Sequence, residues 1–274
     1  MGNQVKSVED MVALLSPISL FSRLGQLRFS AMSFASKDPE LVNADLALKH
    51  FHSIGPVRIE ELDVLSFRTP WISLLYPFVL ENHTLEQTLH TVTAYVSGPW
   101  SYTRQLGRFL ADVGPALRCF KLNPAYSAFY GREDDFDPWQ TLNLHRCENL
   151  QTLVLTLDIR DLVLTPAWYA HGQGIATHAF EQLLVPERLP ALRRFTLRVW
   201  VEDGNRILDA LDWSAVEAAL RRLPTLKTFV VDLAWWQRAP TEDLAKKMPE
   251  LHRTNVFQLC VAPGPEARWW SGLN

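Results

Sequence analysis

Cysteine is scarce in this chain: Cys119, Cys147 and Cys260 are the only three among 274 residues. The number is odd and no two stand as C-x-x-C, which argues against a disulfide framework and against a cysteine-built zinc site. Long apolar runs are missing as well. The longest, WISLLYPFVL at residues 71–80, is about half of what a bilayer-spanning helix needs. The first ten residues, MGNQVKSVED, contain no apolar stretch of the signal-peptide kind. A cytoplasmic or nuclear protein with no membrane partner is expected. An excess of one charge is lacking too, with 27 Lys and Arg against 30 Asp and Glu, a net charge of -3. No stripe of Lys and Arg interleaves with aromatics, so no nucleic-acid partner is expected.

Familiar chemical signatures are also absent. No G-x-x-x-x-G-K-[ST] or G-x-G-x-x-G is present to cradle phosphates, and no H-E-x-x-H to bind zinc. A G-x-S-x-G nucleophile elbow is missing. No cofactor, no metal and no enzymatic activity are expected on these grounds.

What the chain does contain is a phrase that returns. RLPALRRFTLRV (188–199) is followed 34 residues later by RLPTLKTFVVDL (222–233). Taken as an apolar anchor followed by apolar residues three and five places later, L-x-x-[LF]-x-[LV] in its strictest copies, the phrase occurs eight times at spacings of 28 to 42 residues. Its anchors are Leu24, Ile59, Leu89, Leu117, Leu150, Leu192, Leu226 and Val256. Apolar residues two apart share one face of a short strand. A fixed return of this kind marks a stack of similar units, each unable to bury its apolar face alone.

Helix-length segments lie between the phrases. In DWSAVEAALRRLP (212–224), Val216, Ala219, Leu220 and Leu223 recur at helical spacing. Ser214 and Glu217 predict a capping box, and Pro224 ends the helix. RQLGRFLADVG (104–114) follows the same logic before Pro115. PELVNADLALKHF (39–51) and TEDLAKKM (241–248) are weaker copies. Helices that return each strand to the start of the next imply parallel strands on a right-handed path.

LHRCENLQTLVLTLDI and LRRLPTLKTFVVDL resemble the leucine-rich-repeat regions of basidiomycete F-box-like proteins. The resemblance spans roughly residues 20–262. It implies a single domain over 1–274: an α/β, irregular leucine-rich-repeat-like, right-handed solenoid of about eight repeats with terminal caps. Its parallel sheet would line the concave side and its helices the convex side. Regular repeats of this kind carry Asn or Cys at a turn position where this chain has Phe67 and Trp200, so irregular units are expected. The resemblance further implies a protein-protein interaction module related to substrate receptors of ubiquitin ligases. No F-box is recognisable before the first repeat near Leu24, so a Skp1-type adaptor is expected only if an F-box lies outside this chain.

In such a solenoid the residues alternating with the core pair face the concave side. They make two rows across the repeats, read as ending at Cys260 and at Ala262. From these rows Tyr95, Lys121, Arg198 and Asp232 are the expected contacts for a protein partner. Other features take blander readings. Glu133, Asp134, Asp135 and Asp137 lack the Gly and Glu that a calcium loop places after them, so a solvated loop is expected. Most of the ten tryptophans, Trp269 and Trp270 included, are expected to pack or to cap. WYAHGQGIATHAFEQL (168–183) carries the alternative function, a hydrolase-like enzyme on an open α/β scaffold with His171 or His178 as general base.

Overall fold

The computed structural model describes residues 4–5, 10, 13, 15–30, 33–34, 57–65, 85–96, 100–124, 138–158, 177–200, 208, 211–234 and 241–262. Strands β1 (Gln4–Val5) and β3 (Ser33–Phe34) form a small parallel pair. All other strands join one parallel sheet. They are β2 (Arg23–Ser30), β4 (Arg58–Leu65), β5 (Thr91–Val96), β6 (Cys119–Pro124), β7 (Thr152–Asp158), β8 (Arg194–Trp200), β9 (Thr228–Ala234) and β10 (Phe257–Ala262). The eight lie side by side in chain order, with β2 at one edge and β10 at the other. Each repeated phrase thus supplies one strand, and the fold is α/β.

Register follows the phrase. The residue three after the anchor forms a continuous row: Leu27, Leu62, Val92, Phe120, Leu153, Phe195, Phe229 and Phe257. The residue two further on forms a second row, in which Val64, Ala94, Leu122, Leu155, Leu197 and Val231 are buried. Both rows belong to one hydrophobic core that runs from Leu15 to Leu251. A one-residue slip in any strand would turn its apolar set away from that core.

The recurrence of the phrase has a hydrogen-bonding cause. The anchor N–H turns back to the carbonyl three residues earlier: Leu117 to Gly114 at 3.0 Å, Leu150 to Cys147 at 2.9 Å, Leu192 to Leu189 at 3.2 Å and Leu226 to Leu223 at 3.3 Å. The next two N–H groups then share one carbonyl of the preceding unit. Those of Arg118 and Cys119 meet His90, those of Gln151 and Thr152 meet Arg118, and those of Arg193 and Arg194 meet Gln151. Lys227 and Thr228 meet Arg193 in the same way, and all eight bonds measure 2.8–3.0 Å. Pro115, Pro190 and Pro224 sit just before the anchors, where no N–H is needed.

The last unit departs from the phrase. Val256, Leu259 and Val261 suggest an anchor and its pair, but the structure sets Phe257 beside Phe229 and Leu259 beside Val231. The anchor position therefore falls on Thr254, an exposed residue whose hydroxyl donates to the Glu250 carbonyl at 2.9 Å. Asn255, at a φ of 54°, turns the chain into the strand two residues early. Asn tolerates this left-handed conformation better than most residues. Cys260 consequently stands beside Asp232, and Gln258 takes the place beside Val230.

Helices fill the intervals: α1 (Trp100–Val113), α2 (177–183), α3 (Trp213–Arg221), α4 (Thr241–Lys247) and α5 (Pro249–Arg253). Leu106, Phe109, Leu110 and Val113 turn the buried stripe of α1 to the core. That helix begins at Trp100, four residues before the segment its sequence pattern marks. Cys147 lies in the core, its thiol donating to the Leu110 carbonyl at 3.8 Å, and burial pushes its pKa up to about 12. A thiol so placed stays protonated and unreactive.

The cap of α3 differs from its expected form. Asp212, not Ser214, is the N-cap: its Oδ1 accepts the N–H groups of Ser214 and Ala215, both at 3.1 Å, and the Ser214 hydroxyl at 2.6 Å. Glu217 instead reaches the next unit, where Oε1 accepts the Leu251 N–H at 2.9 Å. The Ser214 hydroxyl bond, followed by the Ala215 N–H, holds the Asp212 carboxyl below its usual pKa. Its stabilising effect is complete above the unfolded-state value of roughly 3.9 and is lost as pH falls through the lower folded value. Asp212→Ala is expected to cost about 1 kcal/mol in urea unfolding at pH 7. The difference from wild type should shrink toward zero at strongly acidic pH.

Candidate functional site

Side chains that alternate with the core rows emerge on the opposite face of the sheet. Two charge pairs organise that face. On one side Asp63, 5% exposed, accepts from Arg28 Nη2 at 3.0 Å and from Gln26 Nε2 at 2.7 Å. On the other, Arg198 Nε donates to Asp232 Oδ2 at 2.8 Å. Each pair spans adjacent strands in direct register, Arg28 beside Asp63 and Arg198 beside Asp232. Cross-strand opposite charges stabilise a parallel neighbour pair modestly. Their main effect here is to satisfy carboxylates that are buried. Asp232 is only 8% exposed, and its Oδ1 has no partner among the described residues.

Between the pairs lie the central strands β5, β6 and β7. Lys121 stands there half-buried, beside Thr93 on β5 and Val154 on β7. No carboxylate pairs with it among the described residues. Thr93 is 3% exposed, and its hydroxyl also lacks a partner among them. Tyr95 and Asn123 are register neighbours one step further along the same strands, Tyr95 half-buried and Asn123 buried. Two residues before Lys121, the Cys119 thiol is pushed above its ordinary pKa, chiefly by burial, with the Lys121 charge acting the other way.

The four expected contact residues all fall on this face, but in two roles. Arg198 and Asp232 are held by each other. Lys121 and Tyr95 occupy the centre, where no carboxylate among the described residues pairs with the Lys121 cation. His178, on α2, is exposed. His171, the acidic segment 133–137, the helix expected at 39–51, and Trp235, Trp236, Trp269 and Trp270 lie outside the described residues.

A cleft of about 580 Å³ opens at the strand starts, lined by Gln87, His90, Arg118, Asn149 and Gln151 around the Pro115–Ala116 turn. His90 Nδ1–H donates to the Ala116 carbonyl at 3.2 Å, and Asn149 Nδ2 donates to the Pro115 carbonyl at 2.8 Å. Sequence reasoning missed this cleft. The signal was present in the polar residues His90, Arg118 and Gln151 that follow three successive apolar anchors.

Among the described residues no cluster of three or more His, Cys, Asp or Glu side chains is placed to hold a metal ion. No helix among them is long and apolar enough to cross a membrane. No protein-family model matches the chain, and comparison with curated proteins gives no match.

Proposed function

We propose that this chain is a protein-protein interaction module without chemistry of its own, built as an irregular leucine-rich-repeat-like, right-handed solenoid. Support for the architecture comes from eight phrases forming eight parallel strands in chain order. The recurrent lead-in hydrogen bonds supply a common unit. The partner meets the polar face of the central strands. A relationship to the substrate receptors of ubiquitin ligases is the form of module that the repeat phrases suggest. A Skp1-type adaptor would then join only through an F-box outside this chain.

The observation that carries the reading is Lys121. A half-buried ammonium in mid-sheet with no counter-charge among the described residues gains from a partner that supplies one. The Arg28–Asp63 and Arg198–Asp232 pairs neutralise the flanks, so the centre is the place where a partner's carboxylate gains most. Lys121→Glu reverses that charge beside the same neighbours. Affinity capture with the whole chain as bait should recover a specific protein partner, and Lys121→Glu should reduce its recovery at least tenfold. A charge-assisted hydrogen bond of about 1.5–3 kcal/mol corresponds to that loss. Unchanged thermal unfolding of the variant separates lost binding from lost folding. Equal recovery by a folded Lys121→Glu variant would overturn the assignment.

A further inference from the structure

The cleft at the strand starts is one part of a longer rim. His90, Arg118, Gln151, Arg193 and Lys227 each stand directly after the apolar anchor of the phrase, at equivalent positions of five consecutive units. The N–H of each, from Arg118 onward, meets the carbonyl of the one before at 2.8–2.9 Å. Five such positions at a strand spacing of about 4.8 Å make a line of roughly 19 Å. Arg118, Gln151, Arg193 and Lys227 are exposed, and His90 is half-buried. No acidic residue occupies these five places; the equivalent place one unit earlier, joined by the His90 N–H to its carbonyl, is Glu60, whose carboxylate is taken by Arg23.

The cations of this rim form no ion pair among the described residues. Arg23, Arg28, Arg198, Lys246 and Arg253 each form an ion pair, while Arg118, Arg193 and Lys227 form none among the described residues. Arg193 and Lys227 are moreover adjacent along the rim, and like charges opposite one another destabilise a sheet. A bound anion would relieve that repulsion. Around Arg118 the cleft adds the amides of Gln87, Asn149 and Gln151, groups that both donate and accept hydrogen bonds and so match a peptide backbone.

We infer that this rim is a docking site for an acidic peptide segment, a run of Asp or Glu in extended conformation lying across β5 to β9. Six extended residues at about 3.3 Å each cover the same ~19 Å. Carboxylates meet Arg118, Arg193 and Lys227, and the cleft amides take the backbone. None of the five positions carries Phe, Tyr or Trp, the rings on which single-stranded nucleic acid most often stacks its bases. The rim is a different surface from the Lys121 face, and the inference does not depend on that reading.

The test is a fluorescence-anisotropy titration of the whole chain against labelled hexaglutamate, hexaglutamine and a six-nucleotide oligouridylate. Hexaglutamate should bind, weakening as salt is raised, while hexaglutamine should not bind. Arg118→Ala should weaken hexaglutamate about tenfold, and a variant combining Arg118→Glu, Arg193→Glu and Lys227→Glu should abolish it. Lys121→Glu should leave it within about twofold, so that failure here and failure of the proposed function are read separately. Absence of hexaglutamate binding at low salt would overturn the inference. So would oligouridylate binding as tightly as hexaglutamate, or displacement of hexaglutamate by inorganic phosphate at equal charge. The triple substitution lies at exposed positions, and its circular dichroism checks the fold. If it fails to fold, the wild-type titrations and Arg118→Ala still decide.

Discussion

Phe195→Ala is expected to destabilise the protein by about 3–5 kcal/mol, the usual loss when a buried aromatic is truncated. Phe195 has no exposed surface and sits in mid-row of the sheet. Its ring stacks on Phe229, with centroids 5.7 Å apart and planes within 8°. It also meets Phe180 of α2 edge-on, at 6.1 Å and 87°. Truncation therefore removes two aromatic contacts worth about 0.5–1.5 kcal/mol each beyond area burial. It also leaves a cavity between β8 and α2 whose walls are strands fixed on both sides. Phe195→Leu, which keeps most of the volume, should cost under about 1.5 kcal/mol. Urea unfolding of both variants measures the difference. Equal loss for Ala and Leu would show that the site collapses freely and that the ring geometry contributes little.

Gly107→Ala is expected to cost about 2–3 kcal/mol, although the helix preference alone points the other way. In an exposed helix interior the same change stabilises by about 1 kcal/mol. Gly107, however, is buried on α1 where the helix meets the short α-helical segment Pro138–Thr141. A β-carbon there would stand 1.7 Å from the Thr141 carbonyl oxygen and 2.8 Å from its carbon. Both atoms are backbone, so no side chain can swing aside. The helix or the segment must move, and overpacking of that kind costs about 1–3 kcal/mol or more. Movement also breaks the 3.1 Å bond from Asn143 Nδ2 to the Gly107 carbonyl. Asn143 holds a left-handed φ of 52°, a conformation that this bond helps to fix. A stabilised Gly107→Ala variant would contradict the packing of α1 on that segment.

The eight strands were legible in the sequence because one local event builds each of them. A buried anchor, a turn and an alternating apolar pair are all encoded within about six residues, so short-range pattern suffices. The same rule misplaced the last strand by two residues. There the anchor falls on Thr254, and Asn255 makes the turn by its own backbone conformation rather than by an apolar lead-in. Partners from other units were illegible for the same reason. Ser214 and Glu217 look like a local pair in sequence, but Glu217 is taken by the Leu251 N–H 34 residues away. Gly107 reads as a weak spot in a helix until Thr141 stands against it.

The candidate site divides along the same line. Alternation places Tyr95, Lys121, Arg198 and Asp232 on one face, and the structure has them there. Register decides which are already engaged. Arg198 and Asp232 are direct neighbours on adjacent strands, while Lys121 has Thr93 and Val154 beside it. A charge pattern alone does not reveal pairing across units, here between residues 34 apart in the chain.

The central claim is that a protein partner meets the middle of the polar sheet face. Site-specific photocrosslinking tests it most directly, with benzoylphenylalanine introduced at Tyr95 and, separately, at Arg108, an exposed position on α1. One dominant adduct is expected from position 95 in native lysate, lost when Lys121→Glu is added, and none from position 108. An adduct from position 108 with none from position 95 would contradict it and move the binding surface to the helices.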